Sequence, residues 1–119
     1  MAYTWIDTAA LQQKGAEKDY KAEWDAHRYL VGGKMFGMLG THKDGRPILT
    51  LKLLPADGLL LRQQYADIIP GYYMNKEHWN SVYLDGNVPQ DVTEKMIAES
   101  YRLLLQSLPK KAQKAIAEL

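Results

Sequence analysis

Alternating apolar and charged residues predict two strands near the start of the chain. The segment from Tyr20 to Ala26 alternates without a break, as a half-buried strand does. Its inward side chains are expected to be Tyr20, Ala22, Trp24 and Ala26. A second strand is predicted at Arg28 to Val31, where Gly32-Gly33 ends it.

A β-hairpin is predicted in the middle of the chain. Strands at Lys34 to Gly40 and Pro47 to Leu53 flank the turn residues Lys43 to Arg46, whose Asp-Gly pair favours a tight turn. One face of the second strand holds Leu49, Leu51 and Leu53, which we assign to the core, and the other holds Ile48, Thr50 and Lys52. A further strand is predicted at Trp79 to Leu84, before the turn Asp85-Gly86.

Four helices complete the predicted elements. Thr4 followed by Asp7 resembles a capping arrangement, and Gly15 would end the first helix. A second helix is predicted from Pro55 to about Tyr65, and Pro89 opens the longest one. The apolar stripe of that longest helix is Ile97, Tyr101, Leu104 and Leu108, and Pro109 starts a last short helix. This order predicts an α+β two-layer sandwich, with helices on one face of a mainly antiparallel sheet.

Composition limits the function classes. The chain has 119 residues, which we interpret as one domain spanning 1–119, and it is 46% hydrophobic and 24% charged. The absence of cysteine excludes disulfides and thiolate chemistry. No apolar run is long enough for a membrane span and no signal segment is visible, so we expect a cytoplasmic protein without membrane association. Net charge is only +1, so DNA binding would need local clustering of cations.

The densest group of aromatic and polar side chains runs from Pro70 to Gly86. Asn75 is expected to cap a short turn by accepting a hydrogen bond from the amide of Glu77 or His78. Two interpretations remain open. In the first, His78 forms a hydrogen bond to a backbone carbonyl and Trp79 is a core residue. In the second, Lys76 and His78 lie exposed beside Trp79 and Tyr83, where a cation binds a phosphate and a ring binds a base or sugar.

The sequence contains no pattern typical of a metal site or a catalytic site. His27, His42 and His78 fall in three different predicted elements without ligand spacing, and Gly32-Gly33-Lys34 lacks the pattern of a phosphate-binding loop. Neither Ser81 nor Ser100 lies in a nucleophile elbow. We therefore expect no catalysis, no metal and no cofactor.

Two binding functions are compatible with the residues. Cations on or beside the hairpin would contact DNA phosphates, unless they only solvate a tight turn. The candidate nucleic-acid-binding residues are Lys34, Lys43, Arg46, Lys52, Lys76, His78 and Trp79. The alternative is a protein- or small-ligand-binding site lined by Tyr72, Tyr73, Trp79 and Tyr83. In either case a monomer is expected.

Several segments resemble the MmcQ/YjbR family. The specific block is N-K-E-H-W-N-S-V-Y-L-D-G at 75–86, and G-G-K-M-F-G-M at 32–38 and L-P-K-K at 108–111 support it. The resemblance covers the chain from about Glu17 onward. It implies a fold like that of frataxin and CyaY, and the family's proposed activity, which is DNA binding through a double wing of strands. Frataxin-like iron binding is not implied, because 4–14 contains a single acidic residue, Asp7.

Overall fold

The computed structural model describes residues 3–71 and 74–119, and in this part of the chain helices pack on one face of an antiparallel sheet. The elements are α1 (Thr4–Leu11), β1 (Ala16–Lys21), a 3-10 turn (Ala22–Trp24), β2 (Ala26–Val31), β3 (Lys34–Thr41), β4 (Pro47–Lys52), α2 (Pro55–Gln64), β5 (Ile68–Pro70), β6 (Trp79–Tyr83), α3 (Gln90–Gln106) and α4 (Lys110–Ala117). The predicted α+β architecture is confirmed.

The six strands lie in the order β1-β2-β3-β4-β6-β5, and every neighbouring pair is antiparallel. The β3–β4 hairpin has the predicted position, with register from Gly37 opposite Leu51 to Thr41 opposite Pro47. The short edge strand β5 was not foreseen, because three residues are too few to show a period.

The main core lies between the sheet and helices α1 and α3. Alternate strand residues point toward the helices, and fully buried ones include Tyr29, Phe36, Leu49, Leu51 and Val82. The Phe36 ring meets Tyr101 of α3 edge-on at 5.4 Å between centroids. Burying each such aliphatic or aromatic side chain contributes about 1.5–3 kcal/mol, so this layer fixes the relative positions of β2, β3, β4 and β6.

A β-bulge in β3 is held by a serine of α3. The register of β2 and β3 shifts between Tyr29 and Leu30, so that Phe36 has no cross-strand partner. The hydroxyl of Ser100 donates to the carbonyl of Phe36 at 2.5 Å and accepts from the amide of Lys52 at 2.8 Å. These two bonds satisfy a carbonyl of β3 and an amide of β4 just beyond the Gly37–Leu51 pair, where the register of these two strands ends.

The predicted strand from Tyr20 to Ala26 is wrong in its second half. Strand β1 ends at Lys21, and Ala22–Trp24 form a 3-10 turn that leads back into β2 through Asp25, which has a left-handed φ of 47°. Tyr20 and Trp24 are 52% and 51% exposed rather than inward. The alternating pattern continues through the turn, and a turn that leads out of the edge strand β1 offers no core for alternate residues to enter.

The predicted cap on α1 is also wrong. Helix α1 has no side-chain cap, and its N-cap position is Tyr3. The carboxylate of Asp7 instead accepts from the Tyr29 hydroxyl at 2.6 Å and pairs with Lys18 at 2.9 Å. The Asp7 carboxylate therefore binds Lys18 on β1 and Tyr29 on β2, and it does not cap the helix end as the sequence pattern predicts.

The second face of the sheet, which we call the open face, is not covered by the helices. The helices that contact the sheet, namely α1, α2 and α3, pack on the Tyr29 side. The open face carries the alternate residues of β3, β4 and β6, among them Met38, Ile48, Thr50 and Ser81. These four residues are nevertheless at most 9% exposed. The Leu49, Leu51 and Leu53 face of β4 is core, as predicted.

Candidate nucleic-acid interface

Lys52 and Trp79 are neighbours on the open face. They lie directly opposite each other on β4 and β6, so their side chains share one side of the sheet. Both are partly buried. Within residues 3–71 and 74–119, no carboxylate oxygen lies within 4.0 Å of the Lys52 amine. The arrangement presents a positive charge beside a flat ring.

The turn before β6 brings two further candidates to the same end of the sheet. The side-chain oxygen of Asn75 accepts from the amide of Glu77 at 2.9 Å, which confirms the predicted cap. The carbonyl of His78 accepts from the amide of Leu53 at 2.8 Å, which ties the turn to the end of β4. Lys76 is exposed and His78 is half-buried. Tyr72 and Tyr73 lie outside the described residues.

Arg46 at the hairpin tip is engaged with acidic side chains. Its guanidinium lies 2.8 Å from Asp85 and 3.6 Å from Asp67, and its Cζ lies 3.7 Å from the centroid of the Tyr83 ring. The hydrogen bond to Asp85 raises the pKa of Arg46. The Tyr83 hydroxyl in turn donates to Asp44 at 2.9 Å. Arg46 and Tyr83 therefore stabilise the tip, which leaves less of either group for a ligand.

The predicted hairpin cations do not converge. Lys34 lies opposite Val31, whose side chain enters the helix-side core, so Lys34 is on the other face from Lys52. Lys43 and Arg46 precede β4, whereas Lys52 ends it. At about 3.3 Å per residue, the six residues of β4 separate the two ends by roughly 17 Å. The structure groups Lys52, Lys76, His78 and Trp79 at one end of the sheet, with Lys43 and Arg46 at the other end of β4 and Lys34 on the other face.

The open face also holds a groove that the sequence did not reveal. Its volume is about 500 Å³, and it is lined by Trp24, Ala26, Met38, Gly40, Thr41 and Met74. These residues come from the 3-10 turn, β2, β3 and the turn before β6, so only the folded sheet assembles them. The available signal was a tryptophan beside Asp25 and Ala26, which we assigned to a strand.

Two cations flank the exposed tryptophan of this groove. The Lys21 amine and the Arg28 guanidinium lie 5.3 Å and 6.0 Å from the Trp24 ring. Arg28 is also held by Asp19, with Nε 2.8 Å from the carboxylate. That hydrogen bond raises the pKa of Arg28 and lowers the pKa of Asp19. Because Arg28 is already paired with Asp19, a ligand phosphate would have to compete with that carboxylate for the guanidinium.

The described ranges contain neither a metal-ion cluster nor a helix that could span a membrane. Across 3–71 and 74–119, no group of three or more His, Asp or Glu residues has an arrangement that would hold a metal ion. No helix in those ranges is long and apolar enough to cross a bilayer.

Sequence comparisons identify the relatives of this chain. The YjbR family model matches residues 11–103. The uncharacterized protein YjbR of Escherichia coli K12 is 33% identical over 109 residues, which is 92% of both chains. The uncharacterized protein YyaQ of Bacillus subtilis is 39% identical over 105 residues, or 77% of this chain and 88% of the relative.

Solved structures have the same fold. The Deinococcus radiodurans protein DR2400 superposes with a TM-score of 0.86 at 26% identity, over 97% of this chain and 87% of that one. A Pseudomonas syringae protein superposes with a TM-score of 0.70 at 26% identity, over 85% of this chain and 96% of that one. The family match, the identity to curated relatives and the shared fold agree, and the chain belongs to the YjbR family.

Proposed function

We propose that this protein binds DNA on the open face of its sheet, without catalysis. The observation that carries the proposal is the Lys52–Trp79 pair. A cation contacts a phosphate, and an adjacent ring stacks on a base or sugar. Lys76 and His78 at the same end of the sheet extend the surface. Their turn is joined to β4 through the Leu53 amide.

This proposal moves the contact surface away from the hairpin tip. The resemblance noted in the sequence implies DNA binding by a double wing of strands. Arg46 is already paired with Asp85 and Asp67, and a phosphate would have to displace those carboxylates. Lys52 requires no such exchange. The end of β4 is therefore a better phosphate contact than the tip before it.

Binding is tested with a fluorescently labelled oligonucleotide and anisotropy at low salt. Lys52→Ala is expected to weaken binding by several-fold, because a charge-assisted contact contributes about 1.5–3 kcal/mol at most and less where it is exposed. Lys114→Ala is the matched control, since Lys114 is an exposed lysine on α4. Equal affinities of the two variants, or no anisotropy change with any DNA, would contradict the proposal.

A small-molecule site is the second candidate, and the groove beside Trp24 favours it. Its volume of about 500 Å³ lies within the range of ligand pockets. Of the four rings assigned to this alternative from the sequence, Trp79 lies on the open face but does not line the groove, and Tyr83 packs against Arg46. A thermal-shift screen of small molecules tests it. Stabilisation that Met38→Trp abolishes by filling the groove would support it, and stabilisation that persists in this variant would contradict it.

A further inference from the structure

We infer that the groove beside Trp24 holds one unstacked base, so that the DNA bound by this protein is single-stranded. The inference rests on the proposed function and names its substrate class. It starts from the exposure of Trp24, which is 51% exposed although its ring forms one wall of a groove. An exposed indole beside a cavity offers a stacking surface to a flat ring.

The groove, which we call the slot, is lined by residues that suit a planar group. Beside Trp24 it has the small residues Ala26 and Gly40, and a Cβ added at Gly40 would lie 3.2 Å from that of Ala26. Met38, Thr41 and Met74 complete the lining, and the sulfur of a methionine contacts aromatic rings favourably. A base in a duplex is stacked on both faces, so only an unpaired or extruded base can enter such a slot.

The charges of the open face argue against duplex DNA. Arg28 is paired with Asp19, Lys21 lies 3.6 Å from Glu23, and Arg46 is paired with Asp85. Duplex binding without base contacts depends on neutralising many phosphates at once. A face whose cations are largely paired, and which exposes the Trp24 ring, has more to gain from stacking than from phosphate contacts.

The slot and the Lys52–Trp79 pair lie on the same face of one sheet. The slot is built on β2 and β3, the pair on β4 and β6, and β3 is the neighbour of β4. In the proposed complex one single strand contacts both sites, with the Lys21 amine 5.3 Å from the Trp24 ring at the slot. The phosphate beside the inserted base would lie near that amine.

The test compares a labelled single strand, the matching duplex, and a single strand with abasic sites. The single strand is expected to bind about tenfold more tightly than the duplex and the abasic strand, because stacking raises affinity by roughly five- to 150-fold per base. Trp24→Ala should weaken single-strand binding by about tenfold, and Trp24→Phe should restore most of it. Tyr20→Ala is the matched control, because Tyr20 is 52% exposed and its ring contacts His27 at a tilt of 54° instead of lining the groove.

Failure of the inference is distinguishable from failure of the proposed function. Equal binding of duplex and single strand, with Lys52→Ala still weakening both, would overturn the single-strand inference and leave DNA binding intact. Equal effects of Trp24→Ala and Tyr20→Ala would overturn the slot. If only a free nucleoside monophosphate binds and no oligonucleotide does, the inference and the proposed function both fail.

Discussion

Ser100 joins the helix layer to the sheet at a point that solvent does not reach. Its side chain is 0% exposed, and its hydroxyl serves Phe36 as donor and Lys52 as acceptor. Both partners are backbone groups, one on β3 and one on β4, just beyond the Gly37–Leu51 pair at which the register of these two strands ends. The same serine therefore holds the backbone of Lys52, the residue whose side chain we propose as a phosphate contact.

Ser100→Ala is expected to lower the free energy of unfolding by about 1–3 kcal/mol, because it leaves a buried amide and carbonyl unpaired. Urea denaturation measures the loss. Ser107→Ala is the control, since Ser107 is an exposed serine at the end of α3 whose hydroxyl bonds only to the nearby Leu104 carbonyl. Equal midpoints for the two variants would show that the Ser100 bridge contributes nothing.

Asp7 ties α1 to the first two strands, and the tie depends on its charge. Burial alone would raise the pKa of Asp7, but the hydrogen bonds from Tyr29 and Lys18 outweigh it and hold the pKa below its usual value. Burial and the same hydrogen bond raise the pKa of Tyr29. A depressed carboxyl pKa stabilises the folded state above the pKa of the unfolded chain, about 3.9, and the contribution disappears as pH falls through the folded value.

Asp7→Asn should therefore reduce the pH dependence of stability on the acid side. Relative to the unmodified protein, the variant is expected to be less stable at pH 7 and to lose less stability between pH 5 and pH 2. Urea unfolding at each pH measures both. Glu118→Gln, at an exposed position after α4, supplies the control and should leave the profile unchanged. If the free energy of unfolding of Asp7→Asn fell between pH 5 and pH 2 as steeply as that of the unmodified protein, the Asp7 carboxylate would not stabilise the fold through its charge.

At the scale of elements, the β2–β3 hairpin depends on the backbone of its two-residue turn. Gly32 and Gly33 have φ values of 56° and 80°, a conformation that L side chains rarely adopt. A Cβ at Gly32 would also meet Leu108 at 2.6 Å, whereas no described atom lies within 4 Å of a Cβ placed at Gly33. Gly33 thus isolates the conformational effect from packing.

Gly33→Ala is expected to destabilise the protein by about 1–2 kcal/mol, the penalty for a left-handed alanine. Gly33→Asn should cost clearly less, because asparagine tolerates this conformation. The two midpoints in urea give the comparison. Equal losses of stability in Gly33→Ala and Gly33→Asn would mean that the turn does not require a left-handed φ at position 33.

At the scale of the whole molecule, the helices that contact the sheet pack on one of its two faces. The helices bury the Tyr29 side of the sheet, and the open face carries Lys52, Trp79 and the groove beside Trp24. Its cations are partly matched by Asp19, Glu23 and Asp85. Binding on such a face should depend only moderately on ionic strength, in contrast to proteins that cover a duplex with lysines.

The salt dependence of single-strand binding should reflect this charge distribution. A plot of log affinity against log salt is expected to have a slope of roughly −0.7 per phosphate contact. Lys52→Ala should make the slope shallower by about that amount, and Lys114→Ala should not change it. A slope that Lys52→Ala leaves unaltered would show that Lys52 makes no phosphate contact.

Local patterns were sufficient for the elements that repeat a period against one core. The Leu49, Leu51 and Leu53 alternation, the Asp44-Gly45 turn and the long stripe of α3 each record which side is buried, and each was predicted correctly. The same logic failed at Trp24, where alternation continued into a turn at the sheet edge. It also failed at Asp7, whose partners are distant in sequence.

The sequence by itself determined the helix and sheet layers of this protein. When one face of an element is buried, apolar residues recur every two positions in a strand and every 3.6 positions in a helix. It also placed Lys52 and Trp79 on strands. Only the tertiary structure decided that these two residues are opposite each other, that Lys34 lies on the other face, and that Arg46 is held by Asp85. Strand order, register and ion pairing are contacts between residues far apart in the chain, and no local period encodes them.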